Sequence, residues 1–292
     1  MSSLYIQVIA LQASFNTLGA ELISVKDTEG CEYIWYADPT YWASHSPIMF
    51  PICGRLPGGK YTFEGKTYEM VHHGFTRKSE FEVAEKTDDK IVFLLKSNDT
   101  TRAEYPFEFE LRVTYILDGD KLEMRGDIKN TDVKVLPATF GAHPGFNVPL
   151  DNGSFEDWYV EFDEDCSPDL LIFSDSLLDS GKRAPYPLAD GRTIPLAHSL
   201  FDIDGVFITH IAKKATLKSA KSSRSVTLTY PQMSYLGLWH APRTEAPYVC
   251  IEPWCGIPSM EGLPDDIMQK QAMFHILPNK EKTVRLWIEF KS

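Results

Sequence analysis

The segment from Phe107 to Ile128 reads FEFELRVTYILDGDKLEMRGDI and carries the pattern that decides the fold. Its first half alternates apolar with polar residues, and only Ile116 breaks the polar set. Because successive side chains of a strand point to opposite faces, this alternation predicts a strand with one buried face. Asp118-Gly119-Asp120 then predicts a turn, and residues 121–128 predict the returning strand. The segment is therefore predicted to be a β-hairpin.

Further strand patterns lie on both sides of this hairpin, at residues 61–63, 67–70, 81–84, 91–95, 225–230, 235–239, 248–251, 273–276 and 283–290. Helices are predicted only at residues 39–43, behind an Asp38 N-cap, and at residues 264–270. Residues 151–204 are the least regular stretch, and a loop of that length is expected to be functional or to carry short structure of its own. Many short strands with few short helices predict an all-β sandwich that forms a single domain over residues 1–292.

The composition is that of an ordinary globular protein, with 292 residues of which 43% are hydrophobic and 24% charged. A formal net charge of −12 argues against nucleic acid as a partner, since a phosphate backbone needs a basic face. No apolar run approaches the ~18 residues of a membrane span, and the N-terminus lacks a signal-peptide pattern. The five cysteines include no Cys-x-x-Cys pair, which predicts reduced thiols in a cytoplasmic protein, with neither a disulfide framework nor a zinc site.

Three rigid stretches carry residues suited to acid–base chemistry. Residues 141–149, GAHPGFNVP, fix His143 between two glycines and a proline. Residues 72–75 read His-His-Gly-Phe, and residues 251–254 read Ile-Glu-Pro-Trp. For a lone His143 the commoner case is a buried histidine bonded to a carbonyl. Two imidazoles and a carboxylate in such settings instead favour acid–base chemistry on a small molecule.

The adjacent histidines His72 and His73 are expected to have different roles. In a strand only one of two neighbours can point into a given cleft, and His73, beside Gly74, is the predicted one. His72 is expected to pack or to face solvent, so that its replacement by glutamine would be nearly silent. Adjacent histidines are poor co-ligands for one metal ion, and no third ligand stands at helical spacing, so the sequence does not predict a metal site.

Glu252 and Trp254 each have a structural and a functional interpretation. The default interpretation of a glutamate is an ion pair with a surface lysine. Glu252, however, lies inside an apolar strand that ends at a proline, and a charged group is rarely buried without an ion-pair partner or a functional role. Trp254 is either a platform on which a sugar stacks or a core residue.

Arg55, Arg77 and Asp204 are candidate ligand contacts. Arg55 lies in a glycine-rich loop at residues 53–59, where it could donate to ligand oxygens or form a surface ion pair. Arg55 and Arg77 flank the His73 segment and are candidates to bind one anionic group together. Asp204 leads into an apolar strand, where it could accept from a ligand hydroxyl or only cap the strand.

Four blocks of the sequence together resemble the aldose 1-epimerase (galactose mutarotase) family, over nearly the whole chain. Residues 55–68, leading to His73-Gly74, resemble the family's Asn-Arg block and its His-Gly. His143 matches the central histidine, Asp204 the aspartate before a Phe-containing strand, and Glu252 the Glu-Pro glutamate. Gly54 replaces the family's asparagine. Residues 73–77 and 254–256 resemble more a mutarotase-like branch that adjoins the hexose-6-phosphate mutarotases.

The resemblance implies a β-supersandwich with a cleft on the concave face of one sheet, and interconversion of the α and β anomers of an aldose. It implies that Glu252 is the general base and His143 the general acid. His73 would assist at the ring oxygen, while Arg55 and Asp204 would hold hydroxyls. The implied partner is a small-molecule sugar, the implied cofactor is none, and the protein is expected to be a monomer or a homodimer.

The chemistry is consistent with this assignment. Opening a hemiacetal needs one base and one acid, expected on opposite sides of the sugar. Unperturbed pKa values of about 4.3 and about 6.5 would supply an ionised carboxylate and a usable imidazole acid near neutrality. The alternatives are a hexose-6-phosphate mutarotase, a non-catalytic carbohydrate-binding protein and a glycosidase with two carboxylates. The glycosidase is disfavoured by one carboxylate and two histidines at the motif positions.

Overall fold

The computed structural model describes residues 4–262 and 264–292. The strands that precede His143 are β1 (Leu4–Gln7), β2 (Leu11–Phe15), β3 (Leu22–Asp27), β4 (Ile48–Met49), β5 (Lys60–Phe63), β6 (Lys66–Glu69), β7 (Glu82–Lys86), β8 (Lys90–Lys96), β9 (Phe109–Asp118), β10 (Lys121–Asn130), β11 (Leu136–Ala138) and β12 (Gly141–Ala142). The strands that follow it are β13 (Gly145–Asn147), β14 (Trp158–Phe162), β15 (Asp169–Phe173), β16 (Asp179–Pro185), β17 (Thr193–Pro195), β18 (Gly205–Thr209), β19 (Lys214–Ser219), β20 (Ser225–Thr229), β21 (Tyr235–Trp239), β22 (Tyr248–Trp254), β23 (Phe274–Ile276) and β24 (Glu281–Lys291).

The strands form two large antiparallel sheets and three small ones. The larger sheet has the order β17-β14-β19-β20-β24-β10-β9-β8-β7, with the predicted hairpin as its neighbours β9 and β10. The second has the order β16-β15-β18-β21-β22-β12-β4, and β13 also pairs with β22. The small sheets are β1-β2-β3, β5-β6 and β11-β23. The prediction of an all-β sandwich is confirmed.

A continuous apolar core lies between the two large sheets. The larger sheet contributes residues such as Val113 and Tyr115 of β9, and the other sheet contributes Val249 and Ile251 of β22. The buried residues of β9 alternate with less buried ones, as the sequence pattern predicted. The single-domain organisation stays a prediction, which the continuity of this core supports.

Helix is scarce, as predicted, but it is not where the sequence placed it. The described residues contain one α-helix, Asp99–Glu104, which begins at an Asn98 N-cap with a capping box to Thr101. Short 3-10 helices span Pro57–Gly59, Thr76–Lys78, Phe155–Asp157 and His198–Phe201. No helix in this part of the chain is long and apolar enough to cross a membrane.

Both predicted helices are wrong, because residues 39–41 and 267–269 form turns. At the first, the carbonyl of Asp38 accepts from the amides of Tyr41 and Trp42, and the chain then turns away. A single turn fixes several dihedral angles for few hydrogen bonds, so such short helices are not favoured without further support. The irregular stretch at 151–204 carries β14 to β17, in agreement with the expectation of short structure there.

Strand β22 is longer than predicted, and this difference places Glu252 inside the sheet. The prediction gave residues 248–251 as the strand and expected the apolar strand around Glu252 to end at the following proline. In the structure the ladder continues, with Glu252 opposite Gly237 and Pro253 opposite Leu236 of β21. Glu252 is therefore held by strands rather than by a loop.

Candidate active site

A cavity of about 360 Å³ is lined by several strands of the sheet that contains β22. It brings together all seven residues singled out from the sequence: Arg55, His73, Arg77, His143, Asp204, Glu252 and Trp254. It is also lined by residues that sequence reasoning had not assigned to it, among them Trp42, Met49, His72, Phe173, Phe207 and Trp239. The seven predicted residues therefore lie together in one cavity.

The alternation of β22 separates cavity residues from core residues. Val249 and Ile251 point into the core between the sheets. Glu252 and Trp254 line the cavity on the opposite face, because side chains two positions apart share a face of the strand. Gly237, opposite Glu252, leaves room for the Phe207 ring, since a Cβ there would lie 2.8 Å from that ring and 3.3 Å from the Cβ of Glu252.

The strand register places His143 opposite Glu252. Gly141 of β12 pairs with Trp254, and Gly145 of β13 pairs with Cys250. His143 is midway between the two glycines, and Glu252 is midway between their partners. The two side chains meet at the interruption between β12 and β13, where Nε2 of His143 lies 3.2 Å from Oε2 of Glu252.

Burial shifts both members of this pair toward their uncharged forms. The Glu252 side chain is 1% exposed, and neither of its oxygens has a hydrogen-bond partner among the described residues, so the 3.2 Å contact with His143 is not an aligned hydrogen bond. Burial raises the pKa of Glu252 well above its ordinary value, and the charge of Asp204 raises it further. Burial lowers the pKa of His143 to about 3. The expectation of unperturbed pKa values is therefore wrong for both groups.

His73 is held as a neutral hydrogen-bond donor by its backbone surroundings. The residue has a left-handed φ of 64°, and its Nδ1 accepts from the amide of Gly54 at 3.1 Å. The ring proton must then reside on Nε2. Burial lowers the pKa of His73 well below its ordinary value, and the nearby His143 lowers it further. Gly74 packs too closely for any side chain, because a Cβ there would lie 2.0 Å from the carbonyl oxygen of Phe50.

His72 also lines the cavity, so the expectation that it faces away is wrong. Residues 72 and 73 form a turn rather than a strand, and the alternation rule therefore does not apply to them. Nη2 of Arg77 lies 3.2 Å from Nε2 of His72. Burial lowers the pKa of His72 to about 4, and the charges of Arg77 and Arg55 lower it further.

Two guanidinium groups share the cavity without a carboxylate partner. Arg55 is exposed, and Arg77 is half-buried on the 3-10 helix Thr76–Lys78. Within the described part of the chain, neither forms an ion pair, so the surface-pair alternative for Arg55 is not observed. Burial lowers the pKa of Arg77, and repulsion from Arg55 adds to this effect.

Asp204 and Gly54 complete the polar wall. Asp204 immediately precedes β18, as predicted, and burial raises the pKa of its carboxyl group. Gly54, which stands where the family has asparagine, has a φ of 75°, and a Cβ there would lie 2.4 Å from the ring of Pro258. The packing of Pro258 thus explains why this chain has a glycine before Arg55.

Aromatic rings form the other walls of the cavity. Trp254 is 3% exposed, and its ring lies 5.0 Å from that of Phe207 and 5.5 Å from that of His73. It is therefore both packed and cavity-lining. Sequence reasoning missed Trp42, whose signal was the density of aromatic residues in one short loop: Trp35, Tyr36, Tyr41 and Trp42.

One group of potential metal ligands lies at the site. Ligand atoms of His143, Cys250 and Glu252 lie within 4.8 Å of one another. Burial raises the pKa of the Cys250 thiol well above its ordinary value, and the charge of Glu252 raises it further. Since only the thiolate is a good metal ligand, the environment of Cys250 opposes ion binding.

Comparison with known proteins identifies relatives over the full fold. The model of the aldose 1-epimerase family matches residues 6–291. The chromosomal protein LacX of Lactococcus lactis subsp. lactis is 34% identical over 281 residues, which are 92% of each chain. A galactose mutarotase related enzyme from Lactobacillus acidophilus is 33% identical with a TM-score of 0.93, covering 99% of this chain and 97% of its own. A galactose mutarotase-like protein from Lactobacillus casei has the same identity and TM-score, covering 99% and 100%.

We expect chelation to leave catalytic activity unchanged, because a protonated Cys250 thiol does not complete a metal site. Turnover should be measured before and after dialysis against EDTA, and again after addition of Zn²⁺. The Cys250→Ser variant is the control, since serine keeps the size and removes the sulfur. Activity that EDTA abolishes and Zn²⁺ restores in the wild type alone would contradict the prediction.

Proposed function

The chain belongs to the aldose 1-epimerase family, and on that premise we propose that it is a mutarotase, which interconverts the α and β anomers of an aldose. The observation that carries the proposal is the contact between Glu252 and His143 in a cavity with unpaired hydrogen-bonding groups. A carboxylate and an imidazole are the base and the acid that opening a hemiacetal requires.

In the proposed reaction, Glu252 accepts the proton of the anomeric hydroxyl while His143 donates a proton to the ring oxygen. The bond between the anomeric carbon and the ring oxygen breaks, and an open-chain aldehyde forms. Rotation about the first carbon–carbon bond then turns the other face of the carbonyl toward the former ring hydroxyl. Reclosure returns the proton from the carboxyl group to the new hydroxyl, and the former ring hydroxyl gives its proton back to the imidazole.

The base and the acid lie in contact rather than on opposite sides of the cavity. The expectation that they face each other across the sugar is therefore wrong for this structure. A side-by-side arrangement suits the reaction, because the anomeric hydroxyl and the ring oxygen are bonded to the same carbon. Glu252 and His143 can then reach both oxygens from one direction.

The buried surroundings of the pair favour the ring-opening step. The reactive form of the pair before ring opening is ionic, with a carboxylate and an imidazolium; after ring opening both groups are neutral, which is the form that burial favours. The ionic and the neutral state of the pair hold the same single proton. Glu252 and His143 therefore titrate as a coupled pair rather than as two independent groups. Because burial favours the neutral forms, it makes Glu252 a stronger base and protonated His143 a stronger acid.

The remaining polar residues are proposed to hold the sugar. His73 would donate its Nε2 proton near the ring oxygen, which its tautomer supports. Arg55 would donate to hydroxyl oxygens, and Asp204 would accept from a hydroxyl. We also propose a cytoplasmic location, which the five free cysteines support.

Replacing Glu252 with glutamine should lower kcat by about 10² or more, because the amide cannot accept the proton. KM should change less, since the lost interaction belongs mainly to the transition state. His143→Gln should behave in the same way, and the double variant should lose less than the two effects combined, because both groups act on one event. Polarimetry of freshly dissolved α-glucose and α-galactose measures these rates.

A matched control is His210→Gln, since His210 is exposed and pairs with Asp169 outside the cavity. His72→Gln is not a silent control, because His72 lines the cavity. A folded Glu252→Gln protein with wild-type kcat would remove the mechanism. A wild-type protein that binds aldoses without accelerating mutarotation would instead support a carbohydrate-binding protein.

The rate should be constant with pH between the lowered pKa of His143, about 3, and the raised pKa of Glu252, because the pair keeps one proton over that range. Below that range the pair gains a second proton, and above it the pair loses its only one. The alkaline limb of kcat/KM should therefore follow the raised pKa of Glu252 rather than the pKa of a free imidazole, about 6.5. Activity that falls with an apparent pKa near 6.5 would show that His143 titrates independently.

A sugar 6-phosphate is a second candidate substrate, favoured by the two unpaired guanidinium groups in one cavity. Arg55 and Arg77 repel each other, and an anion between them would relieve that repulsion. His72 lies beside Arg77 and could also donate to phosphate. The net charge of −12 opposes binding of an anion from a distance, so the local charge must outweigh it.

If phosphate is recognised, kcat/KM should be higher for glucose 6-phosphate than for glucose, and Arg77→Ala should abolish the preference. Arg112→Ala is the control, because Arg112 lies on β9 of the other large sheet. The wild-type preference should also weaken as salt screens the charges. Equal kcat/KM values for both sugars in the wild type would exclude this substrate class.

A further inference from the structure

The ring of His143 is held without a hydrogen bond to its second nitrogen. Nδ1 is buried and has no hydrogen-bond partner in another described residue, and its contact with the backbone of His143 itself does not reach hydrogen-bond geometry. Nε2 lies beside Glu252. A catalytic histidine is commonly oriented by a carbonyl or a carboxylate that accepts from the nitrogen remote from the chemistry. In this site the imidazole needs another source of orientation.

Aromatic contacts surround the imidazole instead. The indole of Trp42 stacks on it, with ring centroids 4.9 Å apart and planes at 28°. The indole of Trp239 meets it edge-on, with centroids 5.7 Å apart and planes at 78°. A stacked ring on one side and a perpendicular ring on another restrict rotation about the side-chain bonds of His143.

Trp42 is itself fixed by backbone contacts and by packing. Its carbonyl accepts from the indole N–H of Trp35 at 2.9 Å, and its amide donates to the carbonyl of Asp38 at 2.9 Å. Gly145 provides room for the ring, because a Cβ there would lie 3.1 Å from the Trp42 indole. The glycine two residues after His143 therefore admits the ring that packs on His143.

We propose that Trp42 is the positioning residue of His143, whose stacked indole takes the place of the missing hydrogen bond. The proposal rests on the mutarotase function, in which His143 donates the proton to the ring oxygen. Stacking holds Nε2 beside Glu252, the position from which it would donate its proton to the ring oxygen of the sugar. It also covers one face of the ring from water, and the indole face attracts the imidazolium form by a cation–π interaction.

Three variants test the proposal. Trp42→Ala removes the indole, Trp42→Phe keeps an aromatic ring, and Tyr41→Ala removes a ring from the same turn that contacts Trp35 and not His143. Thermal unfolding should show that each variant is folded. Each should then be assayed for kcat and KM with the aldose for which the wild type has the highest kcat/KM. The ¹H–¹³C spectrum of the histidine Cε1 groups reports the geometry directly, because an indole stacked on His143 shifts its resonance upfield.

We expect Trp42→Ala to lower kcat about tenfold or more with little change in KM, as the loss of a desolvated cation–π contact and of orientation would do. The His143 resonance should move downfield in this variant. Trp42→Phe should restore most of both properties, and Tyr41→Ala should alter neither.

Two outcomes would overturn the proposal. A raised KM with unchanged kcat in Trp42→Ala would make Trp42 a platform for the sugar. An unchanged His143 resonance in Trp42→Ala would show that the indole does not stack on the imidazole, which removes the basis of the positioning role. The spectrum decides the second point even if the wild type proves not to be a mutarotase, so failure of the function and failure of the positioning role remain distinguishable.

Discussion

The antiparallel register of β22 with the two short strands β12 and β13 is the constraint on which the site depends. It sets His143 opposite Glu252 by fixing the pairs on either side of them. A shift of one residue would turn the side chains of β22 to the other face, so that Glu252 would enter the apolar core. Val249 and Ile251 are buried in that core, and this burial fixes the register of β22. The register in turn holds Glu252 and His143 in contact.

Of the eight buried side-chain polar atoms without hydrogen-bond partners among the described residues, four belong to residues that line the cavity. Both oxygens of Glu252, Nδ1 of His143 and Nε1 of Trp254 are buried and lack hydrogen bonds in the described structure. Unpaired buried groups of this kind destabilise a fold, typically by about 1–3 kcal/mol each. Their accumulation at one place is expected where binding, rather than folding, supplies the missing partners.

Much of the fold was predictable, because period-two alternation is a local property of the sequence. The hairpin at residues 107–128 shows this, since each of its strands carries its own pattern. The two helices failed for the opposite reason: local capping signals were present, but too few residues followed to sustain a helix. The α-helix that does form has its own local signal, the capping box from Asn98 to Thr101, which was overlooked.

The sequence indicated many of the residues that line the cavity, but it indicated less of how they are arranged. Rigid Gly and Pro settings and a family resemblance singled out seven of the residues that line the cavity. His72 was misplaced because a turn was treated as a strand. Trp42 was missed because its role depends on the distant Gly145, and no local pattern records that contact. The pKa shifts depend on burial by the whole fold, which residue types alone do not reveal.

The contact between Glu252 and His143 has a mechanical consequence for the scaffold. In the proposed cycle the pair exchanges protons only with the sugar, and the net charge of the cavity is the same before, during and after ring opening. The surrounding strands therefore do not have to adjust to a change in the net charge of the cavity. A stiff sheet with its side chains locked in place suffices for such a reaction, and catalysis of this kind does not itself call for a hinge.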